Sequence, residues 1–269
     1  MILGCAAGCD AGPAIPAGRV VRAPTVSHSA GAPAAPGPWR VVALGDSVTS
    51  GGPCGCTPFP QLYAEDLARV RGARVSVRNL GSGGLDSGGL LTALQDGGSG
   101  AARAVAGADI VLLTIGANDF TDRHGDVTAG TCLTGAGNDC VSDDLASMRQ
   151  NVTAVLATVH RLRAGRPTAV LVTGYWNVFE DGAVARESFS DLGVRATQRL
   201  TRMVNASLRS VARGAGTTYV DLFAPFNGPA GGGDPTRLLF SDGDHPNQAG
   251  QRLIAARLVA AGLPGLTRG

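Results

Sequence analysis

The sequence predicts an α/β protein built on a doubly wound parallel sheet, and three observations carry that expectation. Five short apolar runs recur along the chain, most of them closed by Gly, Asn or Asp, as buried parallel strands should be. Amphipathic stretches with helical spacing separate them, so strand and helix alternate. The chain has 269 residues, enough for one large domain with a real core and short for two enzymatic ones.

Residues 1–38 stand apart from this pattern. "MILGCAAGCDAG" is apolar and rich in small residues but lacks a basic n-region, and Cys9 after Ala6-Ala7-Gly8 resembles a bacterial lipobox. From Ala11 to Pro38 the chain is mostly Ala, Pro and Gly, a composition that cannot bury a core. We read 1–38 as a truncated export signal or lipobox-like leader plus tether, where any association with the cell envelope would be made. The folded domain is expected over 39–269.

Within it, the first strand is expected at Val41–Leu44, whose two valines favour a strand and whose following Gly45-Asp46-Ser47 favours an abrupt turn. A helix follows over Pro58–Arg71, then a strand at Arg74–Arg78 and a glycine-rich loop, "NLGSGGLDSGG", from Asn79. The third strand spans Asp109–Ile115 and ends in Gly116-Ala117-Asn118-Asp119. Asp143–Arg163 is an amphipathic helix, with Leu145, Met148, Val152, Val155, Leu156 and Val159 on one stripe. A strand at Ala169–Thr173, a helix at Phe189–Arg213 and a strand at Thr217–Leu222 complete the alternation. A last helix over Asn247–Ala261 comes directly after Ser241-Asp242-Gly243-Asp244-His245-Pro246.

Composition excludes several function classes. Net charge is +2 and the 23 basic residues, all arginine, are dispersed, so no nucleic-acid footprint is present. The Arg, Ala and Gly bias suits a GC-rich bacterial genome. No apolar run approaches the roughly 18 residues a membrane span needs. A phosphate loop needs a lysine that the chain does not have, and the glycines from Gly81 to Gly89 lack the order of a dinucleotide fingerprint. Cys132 and Cys140 bracket a short polar loop and Cys54 and Cys56 flank Gly55, so two disulfides are expected and, with them, an extracytoplasmic location. Zinc fits poorly, because Cys-x-Cys has no second close pair or nearby His.

A parallel sheet sends its strand ends to one edge. Four of the loops there carry a hydroxyl, glycine amides, a carboxamide and an imidazole with adjacent carboxylates, the parts of an acyl-transfer site. Ser47 needs a base, and His245 alone among the four histidines follows carboxylates in such a loop. Asp244 is adjacent to His245 and its side chain should point away into solvent, whereas Asp242 can fold back through Gly243; Pro246 is expected to start the last helix. Asp46 is read as ordering its turn and Asp119 as capping the next one. His28 falls in the tether and His160 on a helix end; His124 follows the third block closely and either lines the pocket or, the preferred reading, lies in a solvated loop; the sequons at Asn151 and Asn205 fall on helices. No Gly-x-Ser-x-Gly occurs, which excludes the α/β-hydrolase nucleophile elbow.

These blocks resemble those of the SGNH subgroup of the GDSL hydrolases, esterases and lipases with a flavodoxin-like three-layer α/β/α fold and a five-stranded parallel sheet. The resemblance spans Trp39 to Leu263 in the family's order. It implies Ser47 as nucleophile, Asp242 and His245 as its partners, and an oxyanion hole from the amides of Ser47 and Gly84 and the side chain of Asn118. Gly81 and Gly83 also lie in the second block; Gly84 is chosen for its spacing from Asn79. The expected activity is hydrolysis of short-chain acyl or acetylated carbohydrate esters by a secreted, actinobacterial-like monomer, on a small-molecule or glycan ester, with no cofactor, metal or nucleic acid. The alternatives are an O-acyltransferase acting on cell-wall or other glycans, a long-chain lipase or phospholipase, and a non-catalytic wall-binding module. Pocket walls are expected from Cys54–Phe59, Phe120–Cys140 and Tyr175–Phe189, the last contributing Tyr175, Trp176 and Phe179.

Overall fold

The computed structural model describes residues 37–135, 137 and 139–266, so the leader and all but the last two residues of the tether read from the sequence lie outside the described residues. Strand β1 (Trp39–Gly45) leads into a single helical turn, α1 (Ser47–Ser50), and then α2 (Phe59–Arg71). Next come β2 (Val75–Gly81), α3 (Ser87–Gln95), α4 (Gly100–Gly107), β3 (Ile110–Thr114), α5 (His124–Thr128) and the long α6 (Ser142–Arg163). β4 (Ala169–Thr173), α7 (Gly182–Ser188), α8 (Asp191–Gly214), β5 (Thr218–Val220), α9 (Phe223–Asn227) and α10 (Gln248–Ala260) follow.

The five strands form one parallel sheet in the order β2-β1-β3-β4-β5, the flavodoxin-like arrangement. Every residue of β3 and β4 is buried, which is why both read as uninterrupted apolar runs, whereas the edge strand β2 alternates half-buried with exposed positions. Met148, Val152, Val155, Leu156 and Val159 of α6 join the core, as the stripe predicted.

The glycine-rich segment is shorter as a loop than its composition suggested. Asn79–Gly81 continues β2, and Ser87 opens α3 in spite of Gly88 and Gly89, each costing about 1 kcal/mol in a helix. The Asp86 carboxylate offsets this by accepting from Gly89 N at 2.7 Å, and Leu90 and Leu94 are buried. The last helix begins at Gln248, with Asn247 as its cap accepting from the amides of Ala249 and Gly250. Pro246 does not start it: that residue pairs with Leu239 in an antiparallel bridge that closes the preceding loop.

In the order 2-1-3-4-5 the chain moves from β1 to one side and then back past it to β3. The crevice at this switch point lies between the carboxyl ends of β1 and β3, where Ser47 and Asn118 follow their strands.

Candidate active site

The nucleophile candidate sits on a capped turn. Asp46 has extended backbone geometry and its Oδ1 accepts from Val48 N at 3.0 Å, so Ser47 becomes the first residue of α1. A first-turn amide such as that of Ser47 has no intrahelical acceptor and is available to an anion. The second block is tied to this turn: Asn79 donates from Nδ2 to Thr49 O at 2.7 Å, and Ser82 N donates to Gly45 O at 3.0 Å. Leu85 N then donates to Ser82 O, closing a turn whose third residue, Gly84, has φ +73°. Positive φ at that position is the signature of a type II turn. Asn118 Nδ2 donates to Leu85 O at 3.0 Å, which leaves its second amide hydrogen uncommitted and brings the third block to the second. Ser47, Gly84 and Asn118 are therefore carried on three loops that bond to one another.

The His245 loop folds as the Asp-x-x-His spacing suggested. Asp242 Oδ1 accepts from the amides of Asp244 and His245, both at 3.0 Å, while Oδ2 lies 2.8 Å from His245 Nδ1. Asp244 approaches the same nitrogen only to 3.6 Å. Burial would raise the Asp242 carboxyl, but the two amide bonds and the imidazole more than offset it, and it lies below its ordinary value. A carboxylate on Nδ1 fixes the tautomer with a proton there and leaves Nε2 as an acceptor. Gly243 turns the chain at φ +75° and donates to Phe240 O; its own carbonyl accepts from Asp181 N at 2.8 Å. A Cβ on Gly243 would lie 2.5 Å from Val184, so α7 packs directly on this turn.

Gly52 joins the two regions. A Cβ built there would lie 2.8 Å from His245 Cδ2, the ring carbon next to Nε2, so the imidazole rests on the backbone that follows Ser47. Cys54 and Cys56 are paired in the same hook, with their Cα atoms 5.2 Å apart. The hook is fastened to α10, where Gln248 Oε1 accepts from Thr57 N at 3.0 Å and Gln251 Oε1 from Phe59 N at 2.8 Å. Cys132 and Cys140 are paired farther along, with Cα atoms 5.9 Å apart.

The model of the GDSL-like lipase/acylhydrolase family matches residues 43–253, a span that holds all four blocks. The chain belongs to that family. Such hydrolases cleave carboxylic esters. Among solved structures, a lipase from a goat rumen metagenome is similar at 18% identity and TM-score 0.62, over 84% of this chain and 98% of that one. A variant of an acetyl-xylooligosaccharide esterase from Geobacillus is similar at 16% identity and TM-score 0.57, over 86% and 97%. A lipase/acylhydrolase from Enterococcus faecalis gives 20% and 0.52, over 86% and 100%. At these identities the likeness is one of fold. Comparison with curated proteins found no match.

Around its candidate site this GDSL hydrolase departs from the sequence reading in four places. Tyr175 and Trp176 do not line a pocket: each is 1% exposed, Trp176 stacked on Phe226 and Tyr175 donating from its hydroxyl to Asp46 Oδ2 at 2.5 Å. The β4 loop dives under the site at that point because Asn205 of α8 holds the Tyr175 backbone by both its N–H and its C=O. Asp119 does not cap the next turn; both its oxygens take Ser87, and Asn151 donates to the same hydroxyl, so both sequon asparagines are committed internally. His124 opens α5 instead of lying in a solvated loop, and it borders a small cleft, as its other reading allowed: its Nε2 is 2.9 Å from Glu180 Oε2 and its ring stands edge-on to Phe179. Asp244, expected in solvent, borders the same small cleft of about 170 Å3, together with Asn118, Thr121, His124, Phe179 and Glu180. Partial desolvation there, with Asp242 and Glu180 as like charges, pushes Asp244 up to about 6 against the pull of His245, although its side chain keeps 42% exposure.

Glu180 carries no signal in the sequence, and the partners that fix Tyr175 and His124, Asn205 and Glu180, are distant from them in the chain. Asp46 was read as a turn residue, which it is, but it also carries a buried charge problem. Burial pushes its carboxyl up to about 7 in spite of the bonds from Tyr175 and Val48. Among the described residues no cluster of His, Cys, Asp and Glu is arranged to hold a metal, and no helix is long and apolar enough to cross a membrane.

Proposed function

We propose that this hydrolase cleaves short-chain acyl esters through an acyl-enzyme on Ser47. Neutral His245 takes the Ser47 hydroxyl proton on Nε2 as Oγ attacks the ester carbonyl, and Asp242 stabilises the imidazolium without itself becoming protonated. The oxyanion of the tetrahedral intermediate is received by the amides of Ser47 and Gly84 and by Asn118 Nδ2, each donor contributing on the order of 3 kcal/mol to the transition state. His245 then returns the proton to the departing alcohol, and water, activated by the same nitrogen, releases the acid and restores Ser47. The observation that carries the reading is the 2.8 Å bond between Asp242 and His245 Nδ1 on an imidazole seated against Gly52, five residues past Ser47.

The cleft supports the substrate class. It borders Asn118 and Asp244 rather than Ser47 itself, and its volume of about 170 Å3 falls below the roughly 300 Å3 at which drug-sized pockets begin, so a group bound beside the Asn118 donor there would be small. An alkyl chain would strip water from its carboxylates, Asp244 and the His124-paired Glu180, and give no hydrogen bond in return, whereas the hydroxyls of a sugar or polyol alcohol would donate to them. The paired cysteines support action outside the cytoplasm, where such bonds persist.

A fluorophosphonate should add one label at Ser47, and Ser47→Ala should abolish both labelling and hydrolysis of p-nitrophenyl acetate. Labelling at Ser50, Ser82 or Ser87 would contradict the assignment. Across acyl chains of increasing length, kcat/KM should be greatest among the shortest; a maximum at long chains would overturn the substrate reading.

A further inference from the structure

Tyr175 stands where the two halves of the site have to be held in register. Its hydroxyl donates to Asp46 Oδ2 at 2.5 Å, and the same oxygen accepts a longer bond from Ala117 N at 3.4 Å. Asp46 precedes Ser47 and caps its helical turn, and Ala117 precedes Asn118. One buried side chain from the β4 loop thus touches the residue before the nucleophile and the residue before the oxyanion carboxamide, across the switch-point crevice. The tyrosine is itself anchored on its far side: Asn205 Oδ1 accepts from Tyr175 N at 2.9 Å and Asn205 Nδ2 donates to Tyr175 O at 2.8 Å. Asn205 is buried, and a Cβ on the preceding Gly174 would collide with its Oδ1 at 2.7 Å, so the clamp leaves no slack.

We infer that Tyr175 is a positioning residue for the esterase reaction, acting through Asp46 and Ala117 to set the distance between Ser47 Oγ and the Asn118 oxyanion donor. The inference rests on the proposed acyl-enzyme mechanism. A core tyrosine that served packing alone would need no partner so close to the chemistry, and its hydroxyl would find one anywhere along its edge. Among the described residues the hydroxyl bonds to two groups, each one residue from Ser47 or Asn118. Asp46 has two oxygens and two tasks: Oδ1 holds Val48 N, and Oδ2 holds Tyr175. Removing the hydroxyl leaves Oδ2 buried without a donor, so the carboxyl must turn or take up a proton, and either response moves the cap that carries Ser47. The charges facing Asp46 from neighbouring elements are Asp244 and His245, of which the first opposes its ionisation and the second favours it.

The test is Tyr175→Phe, read by kcat and KM for p-nitrophenyl acetate and by the rate of fluorophosphonate labelling, at a temperature where circular dichroism shows the variant folded. The expected result is a loss of about tenfold in kcat with KM within twofold, a matching loss in labelling rate, and no further loss when Asp46→Asn is added. A kcat within twofold of the parent, or losses that multiply in the double variant, would overturn the proposal. Should Tyr175→Phe fail to fold, fluorotyrosine at position 175 keeps the ring and the hydroxyl but makes the latter more acidic. A positioning role predicts a shifted pH profile of kcat, and an unshifted one contradicts it. A parent enzyme that neither hydrolyses the ester nor takes the label would instead sink the mechanism on which the inference rests.

Discussion

Asp46 and Asp242 perform the same local task in two different loops of the site. Each uses Oδ1 to accept a backbone amide two residues ahead, and each keeps Oδ2 for a ring-bearing side chain. Their surroundings separate them. Asp46 is 1% exposed and meets a neutral phenol, and burial pushes it up to about 7; the Asp242 side chain is 32% exposed, meets an imidazole, and sits below its ordinary value. Three hydrogen bonds to a partly hydrated carboxylate outweigh its desolvation, whereas two to a fully buried one do not. The difference teaches that what the second oxygen of a motif aspartate faces separates a structural cap from the role proposed for Asp242, orienting a base, and that partner is not set by the turn alone.

Gly52 links the two turns, so a side chain there should break the comparison most severely. Gly52→Val, with φ +60° at this position and its Cβ within 2.8 Å of the imidazole, should lower kcat/KM by about a hundredfold, since displacement of a base by about 1 Å costs that much. Activity within threefold of the parent would mean that His245 does not depend on this shelf.

A smaller effect should appear in the pH dependence of stability, with opposite signs for the two aspartates. Asp46 binds its proton more tightly folded than unfolded, so its contribution is full below about 3.8 and is lost as pH rises to about 7. Asp242 binds its proton less tightly when folded, so its contribution is present above the ordinary carboxyl value and is lost as pH falls through the folded one. Melting temperatures between pH 4 and 8 should therefore fall toward the alkaline end in the parent more than in Asp46→Asn. Parallel curves for the two proteins would remove the buried-charge account of Asp46.

The cysteine pairs give the smallest expected effects. Replacing Cys132 and Cys140 with serine should cost about 2 to 3 kcal/mol of stability by chain entropy, and replacing Cys54 and Cys56, which close only three residues, about 1.5 kcal/mol. Chemical denaturation measures both. Because the second pair stiffens the hook beneath His245, its loss should lower kcat as well, and the loss of the first should not.

The four blocks were legible because each is local: a strand end, a turn residue and a reactive side chain within a few positions. The parallel five-stranded sheet followed from strand-helix alternation and the family resemblance, while its β2-β1-β3-β4-β5 order came from the structure. What composition obscured was α3, whose glycines argue against a helix until Asp86 caps it and α6 packs on it. Tyr175 was legible as an aromatic near the site but not in its direction, because the clamp that turns it inward comes from Asn205, thirty residues away. The His124–Glu180 pair spans 56 residues, and neither partner sits in a motif.

The most direct test compares Asp242→Asn with Asp244→Asn. Both carboxylates approach His245 Nδ1, at 2.8 and 3.6 Å, and only the nearer one is proposed to orient the base. With folding intact, Asp242→Asn should lower kcat by up to roughly ten thousandfold and Asp244→Asn by less than about tenfold. Effects in the reverse order would contradict the assignment of Asp242, and with it the arrangement of Ser47, His245 and Asp242 proposed here.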